Sequence, residues 1–140
     1  MTNARILIVE DEAITVSALK RELASFGYEV AGTASTTNEA LKAVELHKPD
    51  LVLMDITLAG AVNGIVAAVA IRGTFHVPVV FLTANADDRT MERAVGAGAF
   101  GYVLKPFNGV GLKAAIETAL HKHQTEMQNR RASDPGVLKS

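Results

Sequence analysis

Pro49-Asp50-Leu51-Val52-Leu53-Met54-Asp55 is an apolar run that stops on a carboxylate, and its reading decides the fold. Four apolar residues lie between Pro49-Asp50 and the turn-like Ala59-Gly60-Ala61-Val62-Asn63-Gly64, which predicts a short strand buried on both faces. Asp55 then stands at the strand's carboxyl end. In open α/β sheets that edge is where ligands bind, because the loops there diverge and leave a crevice. Asp is also a common turn residue, so this strand alone leaves both readings open.

Working outward, Ile6-Leu7-Ile8-Val9 is a second continuous apolar run, and it ends on Glu10-Asp11-Glu12. Pro78 introduces Val79-Val80-Phe81-Leu82-Thr83, and Phe100-Gly101-Tyr102-Val103-Leu104 runs into Lys105-Pro106. Tyr28-Glu29-Val30-Ala31-Gly32 adds a shorter strand. Strands without polar alternation belong to parallel sheets covered on both faces. Between them lie helical patterns. Ile14, Ala18, Leu19, Leu23 and Phe26 mark the first, closed by Gly27. Thr36 or Thr37 can cap the second, whose stripe is Ala40, Leu41, Val44 and Leu46. Residues 65–72 form the third, ended by Gly73. The fourth opens on Asp87-Asp88, carries Met91, Ala94 and Val95, and breaks at Gly96-Ala97-Gly98. The fifth places Val110, Leu112, Ala115, Ile116, Ala119, Leu120 and His123 on one face. Alternating strands and helices with short loops imply right-handed crossovers, hence a three-layer, doubly wound α/β fold with a five-stranded parallel sheet. Periodicity does not supply the strand order.

At 140 residues the chain is long enough for one core and short for two domains. Its net charge of -1 gives no general electrostatic reason for nucleic-acid or membrane binding. The absence of cysteine excludes disulfides, thiolate metal sites and a cysteine nucleophile. No apolar run approaches the ~18 residues of a membrane span, and the expected location is the cytoplasm. His47, His76, His121 and His123 lack zinc-site spacing and are expected at the surface or at helix ends.

In a parallel sheet the carboxyl ends of all strands share one edge, so Glu10, Asp11, Asp55, Thr83 and Lys105 converge. Three carboxylates at close range call for a cation, and hard oxygen ligands suit Mg²⁺. A lysine opposite them supplies a compact positive charge for a phosphoryl oxygen, and a threonine hydroxyl can donate to another. This is the inventory for phosphoryl transfer to a carboxylate. Asp55 is the candidate nucleophile, because it is central while Glu10 and Asp11 are adjacent and suited to holding a metal together.

Together, residues 6–12, 49–55, 78–84 and 101–107 make the chain resemble the receiver domain of two-component response regulators, over about residues 5–122. The resemblance implies a flavodoxin-like strand order 2-1-3-4-5 and phosphorylation of Asp55 by a sensor histidine kinase or phosphotransfer protein, with Mg²⁺. It assigns Glu10, Asp11, Asp55 and the backbone carbonyl of Thr57 to the metal. Thr83 matches the switch hydroxyl, Tyr102 the switch aromatic and Lys105 the phosphoryl-pairing lysine, followed by a cis peptide bond to Pro106. The face of the fourth helix, fifth strand and fifth helix is then remodelled for a downstream protein, a covalently linked output domain or a second phosphorylated copy. Such a protein is not an enzyme in the usual sense, though it catalyses its own phosphorylation and dephosphorylation.

Glu10 stands where the family often has Asp, residues 59–64 depart from its usual Leu-Pro-x-x-Asp-Gly loop, and Thr57 and Asn85 match positions that tune dephosphorylation. The loop motivates an alternative, a receiver-like module that binds partners without phosphorylation. A carboxylate-nucleophile phosphatase fits less well, since it wants a second Asp at position 57. Residues 1–125 are expected to form the receiver, and 126–140 a helix extension with a flexible tail or linker.

Overall fold

Leu51, Val52, Leu53 and Met54 are fully buried, as a strand covered on both faces requires. The computed structural model of the chain describes residues 3–58, 63–84 and 87–133. In order, the elements are β1 (Arg5–Val9), α1 (Ala13–Ser25), β2 (Glu29–Ala34), α2 (Thr37–His47), β3 (Leu51–Asp55), α3 (Asn63–Phe75), β4 (Val79–Thr83), α4 (Asp88–Gly96), β5 (Gly101–Leu104) and α5 (Gly109–Ser133). All neighbouring strands pair in parallel, in the order β2-β1-β3-β4-β5.

The two-residue strand period divides the core. Ile6, Ile8, Leu51, Leu53, Val80 and Leu82 pack with Leu19 and Leu23 of α1 and Leu112, Ile116 and Ala119 of α5. Leu7, Val9, Val52, Met54, Val79 and Phe81 face the other way, against α2, α3 and Ala94 of α4. Thr36 caps α2 by accepting the Glu39 N–H at 3.1 Å. Gly27, at φ 86°, takes the left-handed turn after α1.

The helices depart from expectation at their ends. Ile14 and Val110, expected on buried stripes, are 87% and 84% exposed. Each is the second residue of a helix that starts beyond the sheet's carboxyl edge, where no strand lies beneath it. Leu46, also assigned to a buried stripe, is exposed because it follows buried Val44 by two residues, about 200° around the helix. Val95 of α4 is exposed too, while neighbouring Ala94 is buried. Gly73 does not end α3, which continues to Phe75.

Two glycines of α3 have opposite roles. Gly64 donates its N–H to the Ile56 carbonyl at 2.9 Å. A Cβ there would overlap the Asp55 carbonyl oxygen and come within 2.8 Å of the Ile56 Cα, backbone that cannot yield cheaply. A Cβ on exposed Gly73 would meet nothing within 4 Å. In urea unfolding, Gly64→Ala is therefore expected to lose about 2 kcal/mol or more, and Gly73→Ala to gain roughly 0.5–1 kcal/mol. Equal effects of the two substitutions would contradict this account of the packing.

Candidate functional site

Strand register brings the polar terminators together. Val9 lies opposite Met54, so Glu10 and Asp55 continue adjacent strands side by side. Asp55 lies opposite Leu82, one residue before Thr83, and Thr83 lies opposite Leu104, one before Lys105. The Lys105 N–H extends that ladder to the Thr83 carbonyl at 2.8 Å. The Lys105-Pro106 bond is cis.

Glu10, Asp55 and Thr83 are the buried polar residues of the described chain, at 1%, 5% and 4% exposure. The Lys105 ammonium sits between the first two. Its Nζ donates to Glu10 Oε1 at 2.7 Å and to Asp55 Oδ2 at 2.9 Å, and Glu12 Oε1 lies 3.7 Å away. Glu10 Oε2 accepts the Glu12 N–H at 3.2 Å, and Asp55 Oδ1 accepts the Thr57 N–H at 2.9 Å. Asp11 is exposed. Carboxylate oxygens of Glu10, Asp11 and Asp55 nevertheless fall within 4.8 Å of one another. Beside them opens a cleft of about 310 Å³, lined by Asp11, Glu12, Asp55, Thr57, Ala84 and Lys105.

One ammonium therefore faces two buried carboxylates, with Asp11 and Glu12 nearby. Burial, chiefly, pushes Glu10 up to about 7 despite its hydrogen bond to Lys105, and the Asp55 carboxylate adds to the rise. Burial opposes the Lys105 charge, but its hydrogen bonds to Glu10 and then Asp55 outweigh this and raise its pKa. The rise at Lys105, and the part of the Glu10 rise that comes from Asp55, reflect an excess of negative charge. Hard oxygen donors in that excess, beside open space, suit a small divalent cation.

Glu10 and Asp11 differ more than their adjacency implied, one sealed against Lys105 and the other in solvent. Lys105 lies directly on the carboxylates. Tyr102 is half exposed on β5. Sequence reasoning did not anticipate Glu12 beside Lys105, or the close seat of Gly64 under the Asp55 backbone. Asn85 and residues 59–62 of the unusual loop lie outside the described residues, as does the tail from residue 134. Among the described residues, no helix is long and apolar enough to cross a membrane.

A doubly wound α/β protein with an acidic, lysine-bridged pocket at the carboxyl edge of its sheet is thus defined by geometry. A family model, the response regulator receiver domain, matches residues 6–117, and the chain belongs to that family, whose members serve two-component signalling. The transcriptional regulatory protein PdtaR of Mycobacterium tuberculosis is 43% identical over 118 residues, which are 84% of this chain and 57% of that relative. The chain thus spans little more than half of the relative's length. The signal receiver domain of a modulated diguanylate cyclase from Desulfovibrio desulfuricans G20 has a TM-score of 0.82 at 34% identity, over 89% of this chain and 99% of that one. The receiver domain of PhyR from Erythrobacter litoralis gives 0.73 at 38% identity, covering 86% of this chain and 92% of that one. Mg²⁺ in an acidic pocket and a phosphoaspartate are typical of the family.

Glu10 allows a test of the cost of burying this acid beside Asp55. With its pKa raised from 4.5 to about 7, the folded protein holds a proton there that the unfolded chain has released, so this group's contribution to stability falls as pH rises between those values. Glu10→Gln fixes the proton-bearing form. In chelator, wild type is expected to melt below Glu10→Gln at about pH 7.5 and to approach it near about pH 5.5. Added Mg²⁺ should raise wild type most at the higher pH. A pH-independent gap between the two proteins in thermal melts would contradict the assignment.

Proposed function

We propose that the chain is a phosphorylation-controlled switch in which Asp55 accepts a phosphoryl group from a histidine kinase or phosphotransfer protein. The observation that carries this is Asp55 itself. It is almost fully buried at a strand end, held at one oxygen by the Thr57 N–H and at the other by Lys105, and it opens on a cleft. In the transfer an Asp55 oxygen–phosphorus bond forms as the donor's phosphorus–nitrogen bond breaks, and the donor imidazole leaves.

Glu10, Asp11 and Asp55, with the Thr57 carbonyl, would hold Mg²⁺, which when bound neutralises charge on the transferring group. The Thr57 N–H fixes the carboxylate's rotamer, so the nucleophile is oriented before the donor arrives. Lys105 is within reach of the same carboxylate and would pair with a phosphoryl oxygen. Thr83 ends the neighbouring strand, from which its hydroxyl can turn to the new oxygens. Tyr102 would then move inward on β5 and alter the face built by α4, β5 and α5. The chain's own residues thereby promote both arrival and loss of the phosphoryl group.

Supporting this reading are the family match and the relatives, several of which are named transcriptional regulators or DNA-binding response regulators. The proposed downstream target is a protein or a linked output domain that reads the α4-β5-α5 face, and such a switch would work in the cytoplasm. Residues 1–125 would form the receiver, and 126–140 a helical extension and linker.

Incubation with Mg²⁺ and acetyl phosphate is expected to add one phosphoryl group by intact mass. Asp55→Asn should remove the increment, and chelation should reduce it by at least about tenfold. Full labelling of Asp55→Asn would refute the assignment of the acceptor.

A further inference from the structure

A further cluster of long-range contacts lies at the far end of the molecule. α5 has 25 residues, so it extends ~37 Å, whereas a strand of β3's length covers only ~17 Å. The helix starts at the site edge, runs back along the sheet and overhangs the opposite edge. The overhang carries few apolar residues, and a polar helix without packing partners frays.

Here it has partners. Arg72 of α3 belongs to the helix layer on the other face of the sheet, yet its Nη2 reaches Glu126 Oε1 of α5 at 3.0 Å. The same guanidinium lies over the Phe100 ring, 4.3 Å from its centroid. His123 of α5 meets that ring edge-on, with centroids 6.0 Å apart. Arg72 Nη1 is buried and has no hydrogen-bond partner among the described residues. Phe100 immediately precedes β5, and its N–H bonds the Val79 carbonyl at 2.9 Å. A Cβ placed on Gly98, in the α4–β5 turn, would lie 3.7 Å from Arg72 Nε. Arg72 thus touches the α4–β5 connection and the α5 overhang at once. Glu126 and His123 lie beyond the family match, which ends at residue 117.

We propose that Arg72 and Phe100 clamp the α5 overhang to the receiver body, and that the clamp passes changes in the α4–β5 connection into the C-terminal arm. The clamp stands on the contacts alone. The coupling rests on the phosphorylation reading above. Because Phe100 is rigidly tied to the start of β5, movement of β5 shifts the ring on which both Arg72 and His123 rest. The arm's orientation then follows the state of the site without direct contact between them.

Amide hydrogen exchange over residues 121–129 tests both parts. Arg72→Ala is expected to speed exchange there roughly tenfold, since it removes both the ion pair and the ring contact. Glu126→Ala, a change at a solvent-accessible position, should produce a smaller increase. Wild-type rates in both variants would overturn the clamp. After treatment with acetyl phosphate and Mg²⁺, protein shown by mass to be phosphorylated should change exchange in this segment by about threefold or more. Arg72→Ala, equally phosphorylated, should not respond. Phosphorylated wild type with an unaltered arm would overturn the coupling alone. Failure to gain the phosphoryl mass would overturn the phosphorylation reading and the coupling together, leaving the clamp to be judged by the first comparison.

Discussion

The Lys105 ammonium, held between the buried carboxylates of Glu10 and Asp55, is the constraint on which the site depends. Burying one carboxylate without a partner costs several kcal/mol, and burying two side by side adds their repulsion. One cation cannot balance both. The sheet nevertheless keeps them together, because parallel register fixes the ends of β1 and β3 as neighbours and the cores on both faces hold those strands in place. The burial of Leu51 to Met54 is thus part of the site's electrostatics. It supplies the low-dielectric wall against which an added charge is strongly felt.

Much of this was legible in the sequence, and the reason is periodicity. Apolar runs without alternation, each ending on a polar residue, specify strands buried on both faces and mark their carboxyl edge. Residues 51–55 and 79–83 are occupied as those patterns require. The edge then gathers Glu10, Asp55, Thr83 and Lys105 whatever their separation in the chain. Where patterns failed, geometry outside the pattern decided. Ile14 and Val110 have correct helical spacing but no sheet beneath them, and Gly73 is a helix breaker by propensity that neighbouring turns carry through. The division of labour between Glu10 and Asp11 was equally hidden, since adjacent acids look alike until the direction of each side chain is known.

The Arg72 cluster shows a different limit. A salt bridge between residues 54 apart, joining the two helix layers around the end of the sheet, leaves no mark at any helical or strand period. It arises from a mismatch of lengths. α5 is longer than the sheet it packs on, and its last turns are met by Phe100 at the start of β5 and by the long Arg72 side chain from the opposite layer. Composition could show that the helix runs on. It could not show what meets it.

The two ends of the molecule therefore differ in what holds them. At the far end the Arg72 guanidinium has one partly exposed carboxylate and the face of the buried Phe100 ring, so its ion pair is individually weak. At the site the contacts are buried, strong and out of balance. A phosphoryl group on Asp55 would replace the carboxylate's single negative charge with roughly -1.5 to -2, adding up to about one charge to a place already negative. Lys105 offers a single positive charge to share between it and Glu10, so its arrival would redistribute the cations and hydrogen-bond donors around the strand ends. Redistribution in a close-packed sheet moves strands and helices together rather than single side chains. A charge change at the site edge would thus be expressed beyond the site, in the helix ends that pack against the moving strands.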